Sequence, residues 1–146
     1  MAVDSSGNLY VADAGNNRIR KITPKREVTT LAGTGTAGFA DTGTDADGNP
    51  VVAQFNGPSG VAVDSDGNVY VADSSNHRIR KITSKAGGIT VSTLAGTGTA
   101  GSANHPSDPT LARFNYPYGV AVNSSGNVYV ADIDNNCIRR ITPAGG

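Results

Sequence analysis

Short apolar runs alternate with polar turns along the chain, and the apolar positions have the two-residue spacing of β-strands. The run VYVAD at 69–73 places Val69 and Val71 on one face of a strand and Tyr70 and Ala72 on the other. Neither face is polar, so this strand needs a cover on both sides. Turn-forming sequences, SDGN before it and SSNH after it, mark the two ends of the strand.

The same pattern occurs three times, which makes the chain a tandem repeat. Residues 2–23 and 62–83 share 17 of 22 residues, and residues 2–23 and 121–142 share 16. Between them, VTTLAGTGTAG and QFNGPSGV recur as VSTLAGTGTAG and RFNYPYGV. One period predicts four strands, named a to d. In the second copy they cover 59–64, 69–73, 78–83 and 90–95.

Small four-stranded sheets stacked face to face cover a strand that is apolar on both sides, and radial repetition of such sheets is a β-propeller. We therefore predict an all-β fold of four-stranded antiparallel blades in a single array, 1–146. The approximate blade limits are 1–57, 58–117 and 118–146. Strand d occurs twice and the others three times, so the third blade is expected to lack its outer strand. A β-sandwich is the alternative, but it does not require so regular a period.

The segment PSGVAVDSDGNVYVADSSNHRIRKI resembles the NHL repeat, which forms one blade of a β-propeller. The LAGTGTAG and FNGPSGV segments are similar to those of NHL arrays in large bacterial proteins, often extracellular ones. The resemblance implies a propeller fold and suggests an extracellular location. It leaves function open, because NHL-like propellers include protein-binding and RNA-binding modules, and related folds include amidating lyases.

Composition narrows the functional classes. Lys plus Arg and Asp plus Glu each number 12, so the net charge is zero, which argues against nucleic-acid binding. No run approaches the roughly 18 apolar residues of a membrane helix. One Cys excludes an internal disulfide. Two histidines, His77 and His105, are too few for the three protein ligands of a catalytic zinc. We expect no catalytic residues, no metal and no cofactor.

Two further motifs partly match known ligand sites, one for calcium and one for phosphate, but each lacks part of the full pattern. The acidic loop at Asp41, Asp45 and Asp47 offers oxygen ligands for calcium, but its spacing departs from the twelve-residue calcium loop. The GTGTAG strings suggest a phosphate cradle, yet no helix pattern follows them.

The b–c turns and the long d–a segments, 34–57 and 97–116, are expected at the same end of the array. Long loops are often functional, so this end is the predicted binding surface. Tyr116 and Tyr118 have no aromatic counterpart in the first period and favour a carbohydrate or protein contact. With the turn residues Asn76 and His77, they form the candidate binding face. Phe55 and Phe114 recur and are expected to act as wedges between blades.

The first two b–c hairpins each carry an acidic and a basic residue at their ends. Asp13 faces Arg18 and Asp73 faces Arg78, which predicts a repeated ion pair across the turn. In the third copy Cys137 replaces the arginine, so the pair is expected to be lost there.

The preferred functional hypothesis is a non-enzymatic module for binding or assembly. The alternatives are a lyase or lactonase with its site in the channel of a larger propeller, and an RNA-binding propeller.

Three blades cannot close a ring, since propellers close with roughly four to eight blades. The end sheets are expected to expose Leu9 and Val11, and Val128 and Val130. Self-association is therefore predicted, preferably as a six-bladed homodimer and otherwise as an open filament. Because Met1 abuts a strand-a motif, a piece of a longer or engineered chain is the third hypothesis.

Overall fold

The computed structural model describes residues 1–44, 50–86 and 88–143 and shows three antiparallel sheets stacked as propeller blades. A two-stranded hairpin, β5 (Gly43–Thr44) with β6 (Pro50–Val51), lies between the first two. Blade 1 contains β1 (Ala2–Val3), β2 (Leu9–Asp13), β3 (Arg18–Ile22) and β4 (Val28–Ala32). Blade 2 contains β7 (Pro58–Val63), β8 (Val69–Asp73), β9 (Arg78–Lys85) and β10 (Gly88–Ala95). Blade 3 contains β11 (Pro117–Val122), β12 (Val128–Asp132) and β13 (Cys137–Ile141).

The predicted all-β blade fold is confirmed, including a third sheet of three strands among the described residues. The c–d hairpin of blade 2 is longer than predicted. Beyond the predicted limits, Ser84 pairs with Ile89 and Lys85 pairs with Gly88 as the antiparallel ladder continues. Within the described ranges, no helix has the length and apolarity needed to cross a membrane.

A short 3₁₀ turn connects strands b and c in every blade, at Ala14–Asn16, Ser74–Asn76 and Ile133–Asn135. The residue after each turn adopts the left-handed conformation, with φ of 51° at Asn17, 52° at His77 and 53° at Asn136. Asparagine takes this conformation more readily than most residues. In blade 2 it is a histidine, His77, that takes it.

The a–b turns are held by an Asp or Asn side chain. Asp64 accepts hydrogen bonds from the backbone N–H groups of Asp66 and Asn68 and from the Tyr70 hydroxyl. Burial favours a higher pKa for Asp64, but these bonds and a further one from the Asn68 side-chain amide together lower the pKa below its usual value. Burial, together with the hydrogen bond and charge of Asp64, raises the pKa of Tyr70 to about 12.

Two apolar cores lie between the blades, one on each side of β8. Val69 and Val71 pack in the core shared with blade 1, and Tyr70 and Ala72 pack in the core shared with blade 3. The prediction that this strand is covered on both faces is therefore confirmed. Phe55 and Phe114 are fully buried, one in each core, as expected of wedges between blades.

One expectation about the end sheets is wrong. Val128 and Val130 are buried against blade 2 instead of facing solvent. The reason is the sense of stacking, since every blade turns its valine face toward the blade that precedes it. The uncovered side of blade 3 is the opposite one, which carries Tyr129 and Ile138. At the other end of the array, Leu9 and Val11 are partly exposed, as expected.

Candidate functional site

The candidate site is the pair of uncovered faces at the ends of the array. We call the side of a blade that points to the preceding blade its front face, and the other side its back face. The repeat allows the same position to be compared with and without a neighbouring blade. On the back face, Ile19 and Ile79 are 0% exposed, whereas the equivalent Ile138 of blade 3 is 70% exposed. Tyr129 is likewise far more exposed than its equivalents Tyr10 and Tyr70.

The front face of blade 1 shows the complementary difference. Val91 is 1% exposed because blade 1 and the segment before blade 2 cover it. Its equivalent in blade 1, Val28, is 55% exposed. Val3, on the same face, is also exposed. Each end of the array therefore presents apolar side chains that the inner blades bury against one another.

Contact between blades 2 and 3 shows what such a junction requires. The Ser74 hydroxyl donates to the carbonyl oxygen of Pro117 at 2.5 Å, and the Ser59 hydroxyl donates to that of Tyr118 at 2.7 Å. Gly60 lies so close to Tyr118 that a Cβ atom would clash with its carbonyl. In blade 3 the position of Ser74 is occupied by Ile133, which is exposed. The back face of blade 3 is therefore more apolar at this point than that of blade 2.

The ion pair of each b–c hairpin uses a different arginine from the one predicted. Asp73 Oδ2 pairs with Nη1 of Arg80 at 2.8 Å, and both side chains are fully buried. Arg80 also pairs with Asp41 at 2.7 Å and donates to the carbonyl oxygens of Ala40 and Gln54. Burial raises the pKa of Asp73, and the hydrogen bonds from the Asn56 backbone and from Arg80 oppose this effect.

The arginines predicted to pair instead hold the Gly-Thr-Gly segments. Arg18 donates to the carbonyl oxygen of Thr34 at 2.9 Å, and Arg78 donates to that of Thr97 at 2.7 Å. Burial, followed by the charge of Arg80, lowers the pKa of Arg78. Cys137 therefore does not abolish the ion pair of blade 3.

In that blade Asp132 pairs with Arg139 at 2.9 Å, and in blade 1 Asp13 pairs with Arg20 at 3.4 Å. The pair is thus present in all three blades, and it couples each b–c hairpin to its sheet.

The NHL repeat profile matches residues 1–22, 55–82 and 114–141, more than half of the chain. The chain belongs to the NHL repeat family. Protein SUPPRESSOR OF QUENCHING 1, chloroplastic, of Arabidopsis thaliana is 32% identical over 137 residues, which is 90% of this chain and 12% of that protein. NHL repeat-containing protein 2 of Homo sapiens is 40% identical over 74 residues, 49% of this chain and 10% of that protein. The NHL array thus spans about a tenth of these curated relatives.

A solved structure gives the same architecture. A structural genomics protein of unknown function from Bacteroides thetaiotaomicron VPI-5482 superposes with a TM-score of 0.77 and 30% sequence identity. The match covers 92% of this chain and 32% of that one. The three blades therefore superpose on about a third of that chain.

The binding face predicted from the NHL sequence partly comes together. The backbone N–H of Tyr116 donates to Nδ1 of His77 at 3.1 Å, and the two rings meet edge to face at 5.1 Å. Tyr116 and Tyr118 are exposed. Asn76 is committed to the fold, since its amide donates to Gly38 and to Asp73. A ligand role for these four residues stays a prediction.

The calcium motif lies partly outside the described residues, which exclude Asp45 and Asp47. Asp41 is engaged by Arg80 and by the Thr93 hydroxyl. In the described part of the chain, no three His, Cys, Asp or Glu side chains are grouped so that they could hold a metal ion.

The key residues of the end faces, Ile138 and Val28, were not among the predicted sites. The sequence contains the signal in part, because both are apolar at positions that the repeat keeps apolar. Which of them lacks a neighbour depends on the direction in which the blades stack.

Proposed function

We propose that this NHL array is a non-enzymatic module for binding or assembly, and that the back face of blade 3 joins the front face of blade 1 of a second copy. The exposure of Ile138, at a position buried in both other blades, carries the proposal. Full burial of one such side chain contributes about 1.5–3 kcal/mol. The two faces are apolar, and the junctions within the chain join surfaces of the same two kinds.

Front-to-back pairing of two copies gives a two-fold dimer with two junctions between the copies. Each copy contributes three blades, so the dimer has six blades. Propellers close with roughly four to eight blades, so six blades suit a ring. If the second junction fails to close, the same contacts extend into a filament. We favour the ring because it buries all four end faces.

Light scattering over a range of protein concentrations tests the proposal. The expected mass is that of a dimer, and a very large species would select the filament. In the Ile138→Glu variant a buried charge would oppose the junction, so the mass should fall to that of one chain. Leu111→Glu, at an exposed leucine outside both end faces, is the matched control and should leave the mass unchanged. A wild-type protein that remains a folded monomer at every concentration would overturn the proposal.

The enzymatic alternative has its own test. A lyase-type site in the channel of a ring would require a bound metal. We expect elemental analysis of the purified protein to find no stoichiometric metal, and one metal ion per ring would contradict the non-enzymatic assignment.

A further inference from the structure

The junction between blades 2 and 3 contains a titratable hydrogen-bond acceptor where the junction between blades 1 and 2 has an amide. In blade 1 the side-chain oxygen of Asn17 accepts the backbone N–H of Gly57 at 2.9 Å. At the equivalent place in blade 2, Nδ1 of His77 accepts the backbone N–H of Tyr116 at 3.1 Å. Each bond ties the b–c turn of one blade to the segment that begins the next blade. Both lie within one chain, so they are separate from the assembly proposed above.

The hydrogen bond from Tyr116 fixes the protonation state of His77. A backbone N–H only donates, so Nδ1 carries a lone pair and the ring proton lies on Nε2. The amide oxygen of Asn17 accepts at any pH, whereas a protonated imidazole has donors at both nitrogens and accepts at neither. Histidine gains its proton as the pH falls from about 8 to about 5. Acid therefore removes the acceptor from the second junction and leaves the acceptor of the first junction in place.

The backbone of Tyr116 needs more support than that of Gly57. Both residues are left-handed, with φ of 51° at Tyr116 and 57° at Gly57. Glycine adopts this conformation freely, but a bulky residue does so only where its surroundings hold it. The hydrogen bond to His77 and the edge-to-face contact of the two rings, with centroids 5.1 Å apart, contribute to that support. When Nδ1 is protonated, the N–H of Tyr116 faces a second donor and this support is lost.

The groups around His77 offer its positive charge no partner in this geometry. The charged or titratable side chains on the two adjoining b–c turns and on the segment before blade 3 are Asp73, Arg78, Asp132, Asp134, Tyr116 and Cys137. Asp73 and Asp132 each pair with an arginine of their own blade, and Arg78 donates to the carbonyl oxygen of Thr97. Among the described residues, no ion pair includes His77. The effect of protonation therefore falls on the contact with Tyr116.

We propose that His77 and Tyr116 form a pH-sensitive clasp between blades 2 and 3, closed when the imidazole is neutral and open when it is protonated. Opening releases the Tyr116 backbone from its left-handed conformation. Tyr118 stays in place, because its carbonyl oxygen accepts a hydrogen bond from Ser59. The clasp thus changes the spacing of two exposed aromatic rings between neutral and acidic solution, while the junction between blades 1 and 2 keeps its geometry.

NMR of the ¹⁵N-labelled chain between about pH 8 and about pH 5 tests the clasp. The imidazole nitrogen signals of His77 report its protonation. Amide exchange with water, divided by the intrinsic rate at each pH, reports the protection of Tyr116 and of Gly57. As His77 gains its proton, the protection of Tyr116 should fall about three- to tenfold, which corresponds to one lost hydrogen bond. The protection of Gly57 should stay constant.

Two variants separate the clasp from other effects of acid. His77→Asn introduces the residue that blades 1 and 3 have at this position, so Tyr116 should stay protected throughout the pH range. His105→Gln is the matched control at the second of the two histidines. It should retain the full pH effect, because His105 accepts the N–H of Asp108 within its own loop. A change caused by assembly through the end faces would persist in His77→Asn.

Three results would each overturn the proposal. The first is a Tyr116 amide whose protection stays constant while His77 titrates, or that is unprotected at neutral pH. The second is an equal fall in protection at Gly57, and the third is a fall at Tyr116 that persists in His77→Asn. In the last two cases the loss would come from a group other than the His77 acceptor.

Discussion

Replacing Arg80 by leucine should destabilise the chain far more than the same change at Arg20. The side chain of Arg80 is 0% exposed and forms two ion pairs, with Asp73 and Asp41. Its removal leaves the buried Asp73 carboxylate without its cation. Breaking a buried pair by removing one partner costs about 3–5 kcal/mol. The side chain of Arg20 is 30% exposed and its ion pair with Asp13 measures 3.4 Å, so this pair is worth about 0–1 kcal/mol.

Urea unfolding followed by circular dichroism gives both free energies. A double variant, Arg80→Leu with Asp73→Asn, removes the uncompensated charge and should recover part of the loss. Equal destabilisation by Arg80→Leu and Arg20→Leu would refute the reasoning that burial determines the value of this pair. No recovery in the double variant would show that the loss arises from packing instead.

Three further predictions follow from single side chains. Phe114→Ala removes a fully buried wedge and should cost about 3–5 kcal/mol in thermal or urea unfolding, whereas Phe39→Ala, at an exposed ring, should cost much less; similar losses would contradict the wedge role. Cys137→Arg should change stability by less than about 0.5 kcal/mol, because the ion pair of blade 3 uses Arg139, and a larger gain would restore the original pairing hypothesis. The pKa of Tyr70 is raised from 10.0 to about 12, so its contribution to stability is present below pH 10.0 and is lost as the pH rises toward about 12. Tyrosinate absorbance should show this late titration, and Asp64→Asn should lower that pKa while burial keeps it above 10.0.

Local strand positions were predictable because the repeat exposes the alternation three times. The limits of β8 at Val69 and Asp73 agree with the prediction residue for residue. The ion pair was not predictable from opposition across the hairpin. Asp73 and Arg78 are paired in register, yet the carboxylate turns into the interior, where Arg80 reaches it. The third repeat contains the clue, since it keeps Asp132 and Arg139 while it loses the arginine at 137.

The alternation of side chains along a strand does not show which face of an end blade is left uncovered. The pattern at β12 separates Val128 and Val130 from Tyr129, but it does not say which side meets blade 2. That choice follows from how the chain connects one blade to the next. The sequence therefore predicts that the end faces are apolar, but it does not identify the side chains that lie on each face.

The most direct test of the assembly is to mix two variants that each damage one end face. Ile138→Glu places a charge on the apolar back face of blade 3, and Val28→Glu places one on the apolar front face of blade 1. Each variant alone has one damaged side at every front-to-back junction and should sediment as a monomer. The mixture retains one intact junction, between blade 1 of the first variant and blade 3 of the second. Analytical ultracentrifugation should therefore show a one-to-one heterodimer in the mixture, and a mixture that contains only monomers would contradict front-to-back joining.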